Sequence, residues 1–301
     1  MPESYMINQQ NKAEGCPPIG MALWLLAGGH LIDRIEWVIS NGFQGISLLQ
    51  SAMDIDVEER KDVAAAITAA KLYVTYHGNV HHKLNESGEL DTDFADRMID
   101  DVVWWHENTN GVYSCCSDSI KAVREDGTAV FDFDLNKQHM DMIAGRLNTY
   151  GIHVGIENGC GGKNRFCTID DFVRIKEMCS GSDVGMLLDA GHANIHVRSD
   201  GVENEDNITS YVSKIPFEIR EVHFSDNVGK QDEHKQLGYG NLNLSDLFKA
   251  FKNREFTGKF TVEVCVDILS GKYGSDINDP KQTDALLVSR DKITAAWADL
   301  E

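Results

Sequence analysis

Apolar and polar positions along this chain fall into a repeating rhythm. After a polar opening stretch, short apolar runs alternate with longer amphipathic stretches. The short runs cover residues 19–26, 45–49, 72–77, 111–115, 152–157, 184–189, 219–224 and 260–264. Their length and their content of Val, Ile and Phe predict eight strands. Between them, helix-like stretches cover 29–41, 57–71, 91–106, 134–150, 169–179 and 244–252, and a final one covers 279–300. The first of these stops at an Asn-Gly pair, a helix C-terminal signal. Only the stretch near 207–214 carries a weak pattern. Eight strand–helix repeats predict an α/β fold, a single (β/α)8 barrel spanning 1–301, with 1–17 as a loose polar arm. The competing architecture, an open doubly wound sheet, usually carries a Gly-rich phosphate turn after its first strand. Gly28-Gly29-His30 is a poor match to that turn.

Composition narrows the function without changing the fold. The formal net charge is −20, which argues against general nucleic-acid binding and against docking on an anionic membrane. A locally basic pocket for a small anion stays compatible with it. No run approaches the ~20 apolar residues that span a bilayer. The opening residues lack the apolar core of a signal peptide. Seven cysteines follow no disulfide or zinc-finger spacing. A reduced, cytoplasmic protein is expected.

The late strands carry the chemistry. The fifth ends at Glu157, the sixth ends at Asp189, the seventh delivers His223 and the eighth delivers Glu263. In a barrel these ends converge on the C-terminal face, where active sites lie. Strand alternation turns Ile152, Val154 and Ile156 outward and Glu157 inward. It likewise turns Phe260, Val262 and Val264 outward and Glu263 inward. Three inward carboxylates at one mouth would repel one another if ionised, and a divalent cation resolves that repulsion. Two Glu, one Asp and one His suit Mn²⁺, Co²⁺, Mg²⁺ or Zn²⁺. Glu221 shares the parity of His223. It is either a carboxylate bonded to that imidazole or the solvated start of the strand, and the second is favoured. His192, Asp232 and His234 surround the four and form a candidate second metal set or hold a substrate hydroxyl. His77 either joins them or is a core histidine bonded to a neighbour. Cys115 and Cys116 are expected to be small buried hydrophobes rather than zinc thiolates.

As an ordered set, the motifs IEN, LDAGH, VHFSDN, the Asp-x-His of 232–234 followed by LGYGNLN, and TVEV resemble those of the xylose-isomerase-like TIM barrels. More narrowly they resemble the sugar phosphate isomerase/epimerase group, to which the endonuclease IV-type apurinic endonucleases are related. The resemblance runs from about strand three to strand eight. It implies one divalent metal on Glu157, Asp189, His223 and Glu263, and substrate contact through His192. In the endonuclease branch the positions of His192, Asp232 and His234 hold an additional zinc, and that of His77 another. That branch also has a His at the end of strand four, where this chain reads VYSCCSD. One metal, with a second zinc as the alternative, is therefore the expected complement.

The resemblance implies a metal-dependent isomerase or epimerase of a sugar or sugar phosphate. The metal would polarise a carbonyl and its neighbouring hydroxyl, and Glu157 and Glu263 would exchange the proton as base and acid. Dehydration of a keto-polyol begins with the same step. The rival reading, a zinc phosphodiesterase on abasic DNA, meets the charge of −20 and a shortage of Lys and Arg on the barrel-top loops, chiefly Lys163, Arg165 and Arg198. A barrel that binds without turnover is the third. Trp24, at the end of the first run, offers a wall to a sugar ring or packs against strand two. Residues 270–276 are either a phosphate-binding turn or, as favoured, an ordinary Gly-rich turn. No nucleic-acid or membrane partner is expected. A homo-oligomer is an expectation of the resemblance alone.

Overall fold

The computed structural model describes residues 15–49, 55–78, 88–123, 129–160, 166–198, 207–270 and 274–300. Residues 1–14 of the expected arm, Lys163 and Arg165 lie outside that set, as does the middle of the 270–276 turn. Eight strands form the barrel: β1 (Ile19–Ala22), β2 (Gly45–Leu49), β3 (Tyr73–Gly78), β4 (Val112–Ser117), β5 (His153–Glu157), β6 (Val184–Asp189), β7 (Ile219–Phe224) and β8 (Lys259–Val262). Neighbouring strands are parallel and follow chain order, and β1 pairs with both β2 and β8 to close the ring. Nine helices are described: α1 (Leu31–Ser40), α2 (Val57–Ala70), α3 (Thr92–Asn108), α4 (Phe133–Leu147), α5 (Ile169–Met178), α6 (Ala190–Arg198), α7 (Ile208–Lys214), α8 (Leu244–Asn253) and α9 (Pro280–Ala298). Among the described residues no helix is long and apolar enough to cross a membrane.

The alternation predicted for the late strands is realised. Val222, Phe224, Phe260 and Val262 are buried in the main apolar core. There Phe260 meets Phe224 edge-on at 5.0 Å and Phe248 of α8 face-on at 5.7 Å. The intervening residues of β7 and β8 turn into the barrel. Register then sets their heights, pairing His223 with Asp189 and His77 with Cys116. At the N-terminal end, Tyr73 donates its hydroxyl to the Phe260 carbonyl at 2.7 Å and Arg220 donates to the Val154 carbonyl at 2.8 Å.

Four local expectations need correction. The first run does not continue as strand through 26. It breaks after Ala22 into a 3-10 turn, Leu23–Leu25, so Trp24 sits in that turn with Leu23 and Leu25 buried on either side. A run apolar at every position has no alternation to mark its end. Strand β8 ends at Val262, and Glu263 follows it, held by its N–H on the Phe224 carbonyl at 2.9 Å. Strand β4 runs beyond the cysteine pair to Ser117. Helix α6, which begins directly after Asp189, was not foreseen. Six of its nine residues are buried, so it lacks the polar stripe that betrays a surface helix. The weak stretch near 207–214 is a helix capped by the Asn207 side chain on the Ser210 amide.

Candidate active site

Glu157, Asp189, His223, Glu263, His77, His192, Asp232, His234 and Trp24 meet at the C-terminal mouth. Glu157, Asp189, His223, Glu263, His77 and His234 are buried, while His192, Asp232 and Trp24 are half-buried. His223 Nδ1 lies 2.8 Å from Glu263 Oε2. His77 Nε2 lies 3.2 Å from Glu157 Oε2, and His192 Nδ1 lies 3.4 Å from Glu157 Oε1. Donor atoms of three overlapping groups fall within 4.8 Å of one another: His77, Asp118 and Glu157; Glu157, Asp189 and His192; Asp189, His223 and Glu263. Each group could hold a metal ion.

The local sequence explains why these ends are so well placed. Asn158, next to Glu157 in the IEN motif, ties β5 to β6: its amide donates to the Asp189 carbonyl at 3.1 Å and accepts from the Asp189 N–H at 2.8 Å. Asp189 Oδ1 takes the His192 amide at 2.6 Å, within the first turn of α6. Gly191 of LDAGH admits Ser225 Oγ to within 2.7 Å of where a Cβ would stand. In the loop after β7, the Asp226 carboxylate collects the amides of Gly238, Gly240 and Leu242 at 2.7–3.0 Å. A side chain at Gly240 would collide with that carboxylate and with the Asn227 carbonyl. The motifs SDN and LGYGNLN thus form a latch over the segment carrying Asp232 and His234. There both imidazoles donate Nδ1–H to carbonyls, His192 to Asn158 at 2.8 Å and His234 to Glu263 at 3.1 Å. Both turn Nε2 to Asp232 Oδ2, at 3.2 and 2.8 Å.

Burial sets the electrostatics. Desolvation, with the Asp118 carboxylate beside it, pushes Glu157 up to about 8. Burial also raises Asp189, whose Oδ2 is buried without a hydrogen-bond partner. Glu263 goes the other way: burial would raise it, but the His223 imidazole outweighs this and holds it down at about 2. His223, His192 and His234 are raised against the effect of burial, His234 to about 10, by the carboxylates they face. The buried cluster leaves one carboxylate oxygen, Asp189 Oδ2, without a partner. The donor set of oxygens and imidazole nitrogens therefore fits a divalent cation.

Three residues escaped sequence reasoning. Asp118 lies one position beyond β4, 3.6 Å from His77, in the region where the sequence offers no His. Asn158 and Asp226 were visible only as letters of motifs. Glu221 overturns its expectation: it is fully buried inside the barrel, not at a solvated strand start. Its oxygens accept from Thr75 and Thr261 at 2.8 Å and from Ser114 at 3.0 Å, and face His223 Nε2 at 3.2 Å. The cysteines stay out of the donor groups. Cys115 joins the apolar core, and burial raises the Cys116 thiol. Trp24 lies against the cluster, its ring 5.5 Å from that of His77 and 6.1 Å from that of His223.

Barrel, strand-end donors and motifs together define a class, and comparison with known proteins gives it a family. Residues 35–286 match the family described as Xylose isomerase-like TIM barrel, and the chain belongs to that family. A curated relative, an uncharacterised protein of Methanocaldococcus jannaschii, is 27% identical over 131 residues, 43% of this chain and 43% of that protein. The chain thus matches less than half of that relative's length. Among solved structures, D-psicose 3-epimerase with D-tagatose from Clostridium cellulolyticum H10 is similar with a TM-score of 0.71 and 15% identity, over 93% of this chain and 99% of that one. D-allulose 3-epimerase from Methylomonas sp. gives a TM-score of 0.70 at 15% identity, over 93% and 98%. The 3-keto-D-glucoside 4-epimerase from E. coli gives 0.62 at 18%, over 95% and 100%. At these identities the likeness is one of fold.

Proposed function

We propose that this protein is a divalent-cation-dependent epimerase or isomerase of a keto-sugar, working by proton transfer at the carbon next to the carbonyl. The observation that carries this reading is the convergence of Glu157, Asp189, His192, His223 and Glu263 at one barrel mouth, in overlapping groups whose donor atoms lie within 4.8 Å of one another. Two of the five are glutamates, the carboxyl pair that proton removal and return at a carbon require. The sugar epimerases with this fold add support.

Glu157, Asp189, His223 and Glu263 would hold the cation. When bound, it supplies Lewis-acid polarisation of the substrate carbonyl and its neighbouring hydroxyl. Glu263 would take the proton from the carbon as base and Glu157 would return one as acid, and the two exchange roles in the reverse direction. Return to the opposite face gives an epimer. Transfer between adjacent carbons gives an isomer. His192 would contact the substrate, and the half-buried Trp24 ring walls the sugar from solvent. Glu221 is a positioning residue: taking the Nε2–H of His223, it leaves Nδ1 to the cation side.

The test has two parts. Protein purified without added metal is assayed for bound metal, then incubated in D2O with D-fructose and other keto-sugars. About one equivalent of Mn, Co, Mg or Zn, with deuterium entering next to the carbonyl, is the expected result. Two or three equivalents of zinc, with cleavage of abasic DNA and no sugar exchange, would replace this reading with phosphodiester hydrolysis.

A further inference from the structure

A cavity of about 200 Å³ opens beside the donor cluster, lined by Leu23, Trp24, Leu31, Leu48, Leu49 and Ile55, with His30, Arg34 and Glu59 also on its wall. Trp24 is shared, facing His77 and His223 on the cluster side and lining the cavity as well. The wall has two characters. Leucines and the indole make an apolar face. Arg34 and Glu59 offer a hydrogen-bonding edge. Arg34 spends only Nε, on the Gly28 carbonyl at 3.1 Å, and makes no ion pair among the described residues. Glu59 accepts the Leu31 amide through Oε1 at 2.6 Å.

We propose that this cavity holds a second, neutral sugar ring, so that the substrate is a keto-sugar glycosylated at the end remote from its carbonyl. The proposal rests on the function assigned above and names its substrate class. A pyranose has an apolar C–H face, which suits Trp24 and the leucines, and equatorial hydroxyls, which suit a guanidinium and a carboxylate. A phosphate is disfavoured because the Glu59 carboxylate stands on the same wall and would repel it. A wholly apolar substituent would desolvate the free N–H groups of Arg34 and the second oxygen of Glu59 with nothing in return.

Three ketoses decide it: D-fructose, isomaltulose (fructose carrying a glucosyl group on O6) and fructose 6-phosphate. Each is assayed with the Mn²⁺-loaded enzyme for deuterium exchange beside the carbonyl, and its binding is measured by calorimetry. The expected kcat/KM for isomaltulose exceeds that for fructose by about tenfold or more, the value of one modest set of contacts. Fructose 6-phosphate gains nothing over fructose. Leu49→Trp, which fills the cavity, is expected to erase the isomaltulose-to-fructose ratio. Equal or better use of fructose, or a preference for the phosphate, would overturn the proposal while leaving the proton-transfer reading intact. Binding of isomaltulose that Leu49→Trp removes, without exchange on any ketose, would uphold the cavity and sink the reaction. Binding of none of the three would overturn the proposal.

Discussion

Two carboxylates inside this barrel, one layer apart, are treated in opposite ways. Glu221, in the lower layer, is fully buried, yet three hydroxyls and an imidazole surround it, and these hold its proton affinity below the ordinary value despite burial. Glu157, in the upper layer, is almost as buried but faces Asp118 and rises to about 8. Near it Asp189 keeps an oxygen with no partner. A satisfied buried charge holds a fold in place. An unsatisfied one is tolerated where something else is to bind, and the contrast separates scaffold from site within a single ring of strands.

The contrast can be broken first at its centre. Asp189→Ala should lose the bound metal and lower kcat/KM on the keto-sugar by on the order of 10³-fold, read by elemental analysis and deuterium exchange. Retained metal with full activity would make Asp189 part of the scaffold. Next, Glu157→Gln and Glu263→Gln should each lower the exchange rate by about 10²–10⁴-fold, the range of general acid–base catalysis. Full activity in either purified variant would remove that residue from the proton pathway.

The lower layer should act on the upper one only through His223. Glu221→Gln is expected to weaken Mn²⁺ binding by about 10–100-fold, measured by titration of chelator-treated protein. Unchanged affinity with a lowered Tm would leave Glu221 a purely structural residue.

Acidity sharpens the comparison further. With no cation bound, Glu157, His192, His223 and His234 all hold protons in the folded state more tightly than in the unfolded chain. Between the unfolded and folded pKa values the folded protein binds more protons, so stability falls as pH rises. The Glu157 contribution is present in full below the ordinary carboxylate range and is lost as pH passes about 8. The Tm of chelator-treated protein should therefore decline from about pH 6 to 9, and saturating Mn²⁺ should flatten or reverse the decline. A flat profile without the cation would contradict the assigned proton affinities. The smallest effect is expected from Thr75→Val, which removes one of the four donors to Glu221. Thermal unfolding should register a loss of about 2 kcal/mol, with metal affinity almost unmoved.

Much of this was legible in advance. The strand-end positions of Glu157, Asp189 and His223 follow from alternation and from the βα spacing, and Glu263 keeps its inward direction although its strand ends one residue earlier. Asp118 was not legible. It lies beyond a strand end in a loop, where period says nothing about direction, and only its approach to His77 and Glu157 marks it. Helix α6 was hidden because burial on most sides removes the polar stripe. Glu221 was misjudged because sequence parity supplies a direction but no depth.

The sequence by itself determined the number of strands, the closure into a barrel and the faces of most residues on it, because these properties are written in short-range periods of side-chain polarity. Tertiary structure decided which inward-facing residues share a layer and which find partners. Thr75, Ser114, Glu221 and Thr261 come from four separate strands and meet only when the ring closes in register. Whether a buried carboxylate is satisfied depends on atoms distant in the chain. No local pattern encodes it, and here it distinguishes Glu221, bonded by three hydroxyls and an imidazole, from Asp189, whose Oδ2 has no partner.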